Sequence, residues 1–543
     1  MRSELKSCAG ISYILITILI IYFRFLPTIV NSLVSDIIFI TLLSSLVITL
    51  VASSFNIKNK SEVITFLPAA LILVFFVRAL PNIILEFPLF ADQYYYSICT
   101  INVFEFGTIE SHVTWWYPQS TTQLNWPMLH ILTSQLGLVS SIDVMIVTQW
   151  IMPFVGVIFF FGIMAFSFKL YNNYGVSFLA ALIGTLSIST IFYQSEYHPQ
   201  GFALTLFLFV LIGFFSTRSK TSMSSVLVAL IFISAFTLSH HFSSLFLSMI
   251  CGMAVVFNII ILRIYKNHNK FNYLFSDISF FLIVVVSIFG FYIYVNPDLF
   301  EHFFIWSMEM NPITGNAELS KTPFLTMLLN FTKWIPIVIV ILATPSIIRH
   351  NHPGQIRALL MVMLIAIAGV LGMLMLFMPL DRMLALLMPV ISVICAISLY
   401  RFYNNTNKKS ADRIIKIIIS ITIIGGILGS QVPTFFFLTS EPNSYYWYNN
   451  DLPHAVETEL SGAWSISYID NNSKYGVTST TRSIPLLYGK ISDQNIDLID
   501  PKINQNYFII NRDISFKEKV TITTIIQENN QIYAGPDIVF YSK

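Results

Sequence analysis

Long apolar runs separated by short polar turns make up this chain from its first residues to about position 438. A membrane-crossing helix needs roughly 20 apolar residues. Runs of that kind lie at 9–26, 33–55, 64–85, 144–168, 176–192, 201–215, 224–238, 242–262, 278–295, 333–348, 358–378, 383–400 and 414–438. They predict an α-helical polytopic membrane protein with about thirteen spans, some of them short enough to be half-helices or fused pairs. The first run has no small-residue cleavage site before the second begins, which predicts a retained signal anchor. After position 439 the pattern changes. A helix is predicted at 454–468 and short strands at 475–479, 507–511, 520–526 and 538–541. Residues 1–439 therefore read as a transmembrane domain and 440–543 as a small extracytoplasmic α/β domain.

The polar turns alternate in charge. With the amino terminus in the cytoplasm, the inner turns hold Lys58 and Lys60, Lys169, Arg218 and Lys220, then Arg263, Lys266 and Lys270. Arg349 and Arg357 follow, then Arg401, Lys408, Lys409 and Arg413. The intervening turns collect acids instead: Glu86, Asp92, Glu105, Glu110, Glu196, Glu301 and Asp381. This is the positive-inside pattern of a cell-membrane protein, and an odd number of spans places the tail outside. Three long segments fall on the outer face, at 86–143, 296–332 and 440–543. Connections longer than about 15 residues are usually functional. The alternation in the first suits a helix lying in the interface, and Trp115, Trp116 and Trp126 suit headgroup depth.

Composition agrees with burial in lipid. Of 543 residues 55% are hydrophobic and only 11% charged, against roughly 25% charged in soluble domains. A net charge of +2 argues against a nucleic-acid partner. Cys8, Cys99, Cys251 and Cys395 show no CxxC spacing and no disulfide framework.

Ionisable groups on one face of a membrane are candidates for chemistry. Asp92, in Phe90-Ala91-Asp92-Gln93-Tyr94-Tyr95-Tyr96, could accept a proton from a hydroxyl beside the aromatic shelf of Tyr94 and Tyr95. It could equally cap the helix that follows. Glu196 and His198 share the turn Tyr193-Gln194-Ser195-Glu196-Tyr197-His198-Pro199, where polar residues also serve simply to keep a turn wet. Together with Asp92 they could pair as acid and base, or hold a divalent cation, Mg or Mn, through oxygen ligands. His240 and His241 lie at the outer end of a later run. Asp381 and Arg382 form an outer turn in which the guanidinium suits a phosphate, or an ion pair with its neighbour. Arg78, two turns below the outer end of the third run, is a weaker phosphate candidate that could instead snorkel.

Several stretches resemble the GT-C superfamily of membrane glycosyltransferases. The segment from Asp92-Gln93-Tyr94-Tyr95-Tyr96 through Glu105-Phe106-Gly107-Thr108-Ile109 is similar to that family's acid, aromatic pair and later glycine. Tyr117-Pro118 and Trp126-Pro127-Met128-Leu129-His130 look like the proline-bearing return to the membrane. Glu196 matches the placement of a second acidic position in a later outer turn. Asn529-Asn530-Gln531-Ile532-Tyr533-Ala534-Gly535 resembles a segment that closes the outer domain of many prokaryotic members. The chain departs from the family in having Asp-Gln-Tyr where a DxD pair would bind metal. It also lacks the WWDYG-type motif of oligosaccharyltransferases and the Asp-Glu pair of protein mannosyltransferases.

The resemblance implies transfer of a sugar from a polyprenyl-phosphate (dolichyl-type) donor to a glycan, lipid or protein acceptor at the outer face. It implies that the donor tail lies between helices among membrane lipid, with its phosphate near Arg382 and the His240–His241 pair. Asp92 would deprotonate the acceptor hydroxyl, and attack from the opposite face would invert the anomeric carbon. The alternatives are a polymerase or ligase of lipid-linked oligosaccharides and a glycolipid transporter or flippase. Transporters usually carry midplane polar residues on broken helices in repeated halves, and no repeat is evident here.

Overall fold

The computed structural model describes residues 2–29, 33–84, 127–217, 223–240, 271–294, 332–349, 380–405 and 409–439, parts of 96–107 and 243–259, and five strands between 475 and 542. The helices are α1 (Arg2–Ile29), α2 (Leu33–Ser54), α3 (Lys60–Ile84), α4 (Met128–Ser140), α5 (Val144–Tyr171), α6 (Tyr174–Thr185) and α7 (Ile188–Ser195). They continue as α8 (Pro199–Thr217), α9 (Met223–Thr237), α10 (Phe271–Tyr294), α11 (Ile335–Arg349), α12 (Leu380–Asn405) and α13 (Lys409–Thr439). Among the described residues, five helices are long and apolar enough to cross a membrane, or up to six if one bent pair is a single span. The chain is a multi-pass membrane protein. The predicted span 358–378, the helix 454–468 and the strand 520–526 lie outside the described residues.

The chain divides into two compact units: Met1–Leu80, Ile151–Ser195 and Pro199–Thr439 form one, and Pro81–Trp150, Glu196–His198 and Ser440–Lys543 the other. In the first, α12 packs along α6 and α11, α13 along α2 and α7, and α8 along α9. Ile37, Ile38 and Ile48 on α2 stay exposed, as lipid-facing side chains would, whereas Leu43, Leu46 and Leu50 are buried. The hydroxyls of α2 are satisfied within the helix: Thr41, Ser45, Thr49 and Ser53 each donate to the carbonyl four residues earlier, at 2.7–2.8 Å. That bookkeeping suits a helix in lipid, where no water can serve them.

The run 176–192, predicted as one span, is broken. α6 ends at Thr185, α7 begins at Ile188, and the two are bent by 63°. The break frees carbonyls, and side chains take them up. Thr190 Oγ1 lies 2.8, 3.1 and 3.0 Å from the carbonyls of Gly184, Thr185 and Ser187.

The second unit contains the strands β1 (Tyr475–Val477), β2 (Ile496–Leu498), β3 (Tyr507–Asn511), β4 (Asn530–Ala534) and β5 (Ile538–Ser542). Their order is β2-β1-β3-β5-β4, with β1 parallel to β2 and β3 and with β5 antiparallel to β3 and β4. The register of β4 against β5 shifts between Gln531 and Tyr533. β2 and β4 are strands that the apolar pattern did not predict.

Candidate functional site

The second unit gathers a polar cluster from three pieces of chain. Tyr96 and Thr100 lie on helical backbone four residues apart, on one face, and Thr100 Oγ1 lies 2.9 Å from the Tyr96 carbonyl oxygen. α4 presents His130, Thr133 and Ser134, spaced three and four apart on one face, and all three are buried. Ser134 ties the two pieces together by donating to the Thr100 carbonyl at 3.0 Å. The third piece is the turn Glu196-Tyr197-His198 between α7 and α8, whose side chains are all buried. The Tyr197 hydroxyl lies 2.7 Å from Thr100 Oγ1 and donates to Thr133 Oγ1 at 2.9 Å. The His198 ring meets the Tyr96 ring edge-on, with centroids 5.0 Å apart.

Proton counting assigns the tautomer of His130. Thr133 gives its proton to the Leu129 carbonyl at 2.8 Å, so Tyr197 is the donor to Thr133. The single Thr100 proton then serves Tyr197 or the Tyr96 carbonyl, and Thr100 Oγ1 also lies 2.8 Å from His130 Nδ1. A proton on His130 Nδ1 satisfies one more of these contacts than the other tautomer does. Nε2 is then an unprotonated acceptor, buried and with no hydrogen-bond partner among the described residues. In the outer-segment topology this cluster lies outside the spans. Burial pushes the His130 imidazole down to about 4, so it is neutral at physiological pH. Burial raises the Tyr197 phenol, against the lowering effect of its bonds to Thr100 and Thr133.

Arg78 belongs to the first unit and is fully buried, so it does not snorkel. Its Nη2 donates to the Thr185 carbonyl at 2.7 Å, on the carbonyl end of α6, where a positive charge is favoured. Nε and Nη2 donate to Gln194 Oε1 on α7 at 3.1 and 2.8 Å, and Nη1 donates to the Val74 carbonyl at 3.2 Å. The guanidinium thus stitches the broken span across its bend.

His240, also in the first unit, has its Nδ1 2.9 Å from Ser243 Oγ and 3.3 Å from the Ser243 backbone nitrogen. Arg382 and Asp381 lie on the first turn of α12, not in the turn before it, and their side chains are outside the described part. Asp92, Tyr94, Tyr95 and His241 lie outside the described residues. Among the described residues no three His, Cys, Asp or Glu side chains form a group that could hold a metal ion.

The structure therefore brings the turn that carries Glu196 and His198 to Tyr96, beside partners that sequence reasoning passed over: Thr100, Thr133, Ser134 and Tyr197. The available signal was polar residues three or four apart in otherwise apolar helices.

No family model and no curated protein matches the sequence. Solved structures do match the fold. The oligosaccharyltransferase of Archaeoglobus fulgidus superposes with a TM-score of 0.55 at 10% identity, over 88% of this chain and 74% of that one. ArnT from Cupriavidus metallidurans, bound to undecaprenyl phosphate, gives 0.54 at 11% identity, over 89% and 98%. The arabinofuranosyltransferase AftD from Mycobacteria gives 0.50 at 10% identity, over 88% of this chain and 40% of that one. Over most of its length, this chain has the fold of the GT-C membrane glycosyltransferases.

Proposed function

We propose that this protein is a membrane glycosyltransferase that moves a sugar from a polyprenyl-phosphate carrier to an acceptor hydroxyl at the outer membrane face. The observation that carries this reading lies within one compact unit. The acid-bearing turn Glu196–His198 is held against Tyr96 and Thr100, four and eight residues after Asp92. Asp92 is thereby close in sequence to the segment that packs against the turn carrying Glu196. The GT-C fold supports the reaction class, and ArnT was solved with undecaprenyl phosphate.

In this reading Asp92 takes the proton of the acceptor hydroxyl. The acceptor oxygen bonds to the anomeric carbon as the bond to the phosphate oxygen breaks. The electron pair and negative charge leave on the polyprenyl phosphate, and the configuration inverts. Glu196 is the second acid, His198, Tyr94 and Tyr95 line the sugar, and Arg382, His240 and His241 hold the phosphate. Arg78 enters as the residue that ties the broken span together. Residues 440–543 form the extracytoplasmic α/β domain, and the amino terminus is cytoplasmic.

The test supplies purified protein with a panel of polyprenyl-phosphate-linked hexoses and pentoses and follows release of the polyprenyl phosphate. Wild type consumes at least one donor, and Asp92→Asn, nearly isosteric but unable to act as a base, consumes none at equal folded amount. If capping were the only role of Asp92, Asn would serve as well and turnover would persist.

A further inference from the structure

We propose that Tyr197 is a positioning residue, whose hydroxyl, gripped between Thr100 and Thr133, sets the turn that presents Glu196 and His198. This rests on the reading of that turn as part of the transferase site.

The turn has only three residues, and neither α7 nor α8 extends into it. Helical backbone hydrogen bonding therefore does not fix its conformation, and side chains must. Tyr197 is the middle residue and is almost fully buried, at 1% exposure. A phenol hydroxyl buried without partners costs free energy. Here it has two, at 2.7 and 2.9 Å, from two different helical segments. Those segments are themselves joined by Ser134 to the Thr100 carbonyl at 3.0 Å. Two anchor points on separate segments fix the position of the hydroxyl oxygen more tightly than a single bond would. The neighbouring His198 meets the Tyr96 ring edge-on, with centroids 5.0 Å apart. The two hydroxyl bonds place a directional constraint on the turn at Tyr197, with its effect exerted one residue away on either side.

His130 sets the direction of the network. With its proton on Nδ1 facing Thr100 Oγ1 at 2.8 Å, the Thr100 proton remains available to Tyr197. The relay runs His130 to Thr100 to Tyr197 to Thr133 to the Leu129 carbonyl, each step donating onward. A substitution at Tyr197 loosens the relay and leaves the Glu196 and His198 side chains chemically unchanged.

The test uses full-length protein and the donor that wild type consumes from the panel. Tyr197→Phe keeps the ring and removes both bonds. Its kcat is expected to fall about ten-fold, as for one to two hydrogen bonds' worth of positioning, while the KM for donor stays within about two-fold. Thr133→Val is expected to fall in the same direction, and the double variant to be no slower than Tyr197→Phe alone, because both cut one relay. Rates are taken per folded molecule, from the monodisperse fraction, so a loss of yield does not count as a loss of turnover. Glu196→Gln separates the two readings. Wild-type kcat in Tyr197→Phe beside an impaired Glu196→Gln overturns the role of Tyr197 alone. Wild-type kcat in Glu196→Gln overturns the reading of the turn and this role with it. A rise in KM with kcat unchanged, or losses that add in the double variant, also overturns the proposal.

Discussion

His130 shows how one buried side chain can carry two kinds of information. Its Nδ1 contact with Thr100 orients the relay, and its depressed proton affinity ties stability to pH. The folded value lies near 4, below the ordinary value of about 6.5 for an exposed imidazole. As pH falls below about 6.5 the unfolded chain takes up a proton that the folded chain refuses, so the contribution is complete above that pH and lost on the way down toward 4. The slope is at most about 1.4 kcal/mol per pH unit. The thermal midpoint in detergent should therefore drop between pH 7 and pH 5 more in wild type than in His130→Asn, which keeps an amide donor near Nδ1 but does not titrate. An equal drop in both would assign the pH dependence to other groups. This residue was visible in the sequence only as the end of a proline-bearing motif. Nothing local marks it, because Thr100 and Tyr197, its relay partners, lie 30 residues before it and 67 residues after it in the sequence. Glu196 and His198 stand out as candidates because two ionisable groups in a short turn contrast with their apolar flanks. Tyr197 between them does not, since a tyrosine near a membrane surface is ordinary.

At the scale of elements, apolar spacing located most described helices within a few residues, as with the run 33–55 against α2 and 144–168 against α5. It did not locate the break within 176–192, and the reason is physical. Hydropathy sees two apolar halves and averages across Leu186 and Ser187, while the groups that make the break tolerable come from elsewhere. Arg78 reaches Thr185 across 107 residues and Gln194 across 116. Gly156 on α5 makes room for it, since a Cβ there would run into Arg78 Cδ and Nε. Gly156→Ala should therefore displace the guanidinium and leave the Thr185 carbonyl and Gln194 short of donors. The expected loss is about 1–3 kcal/mol of stability, read as a lower midpoint in thermal or denaturant unfolding. Gly290 is the contrast. A Cβ there meets nothing within 4 Å, so Gly290→Ala should be neutral or slightly stabilising, as alanine is the better helix former. Equal losses at both positions would mean that Arg78 is not the element that holds the bend.

At the scale of the whole molecule, sidedness decides whether the acids can meet a lipid-linked sugar at the outer face. Charge is the physical basis for sidedness: Lys and Arg resist translocation, so turns that carry them stay in the cytoplasm. Lys58, exposed between α2 and α3, Lys60, exposed at the start of α3, and Arg413, exposed near the start of α13, are basic positions that would act this way. The turn Glu196–His198 carries no Lys or Arg, and neither does the segment 86–143. The two properties alternate along the chain, which is what a bundle threaded repeatedly through one membrane requires. An amino terminus inside and a tail outside require an odd number of crossings, so the ends of the chain report on every crossing between them. A tag placed after Lys543 and another inserted near Glu110 should both react with a membrane-impermeant reagent on intact cells. One near Lys408 should react only after permeabilisation. If the tail tag reacts only after permeabilisation while the Glu110 tag still reacts from outside, the number of crossings after Glu110 differs in parity from the one proposed, and the α/β domain moves to the cytoplasm. If the Glu110 tag is the protected one, Asp92 and the segment around it face the cytoplasm, and transfer at the outer leaflet is excluded at its root.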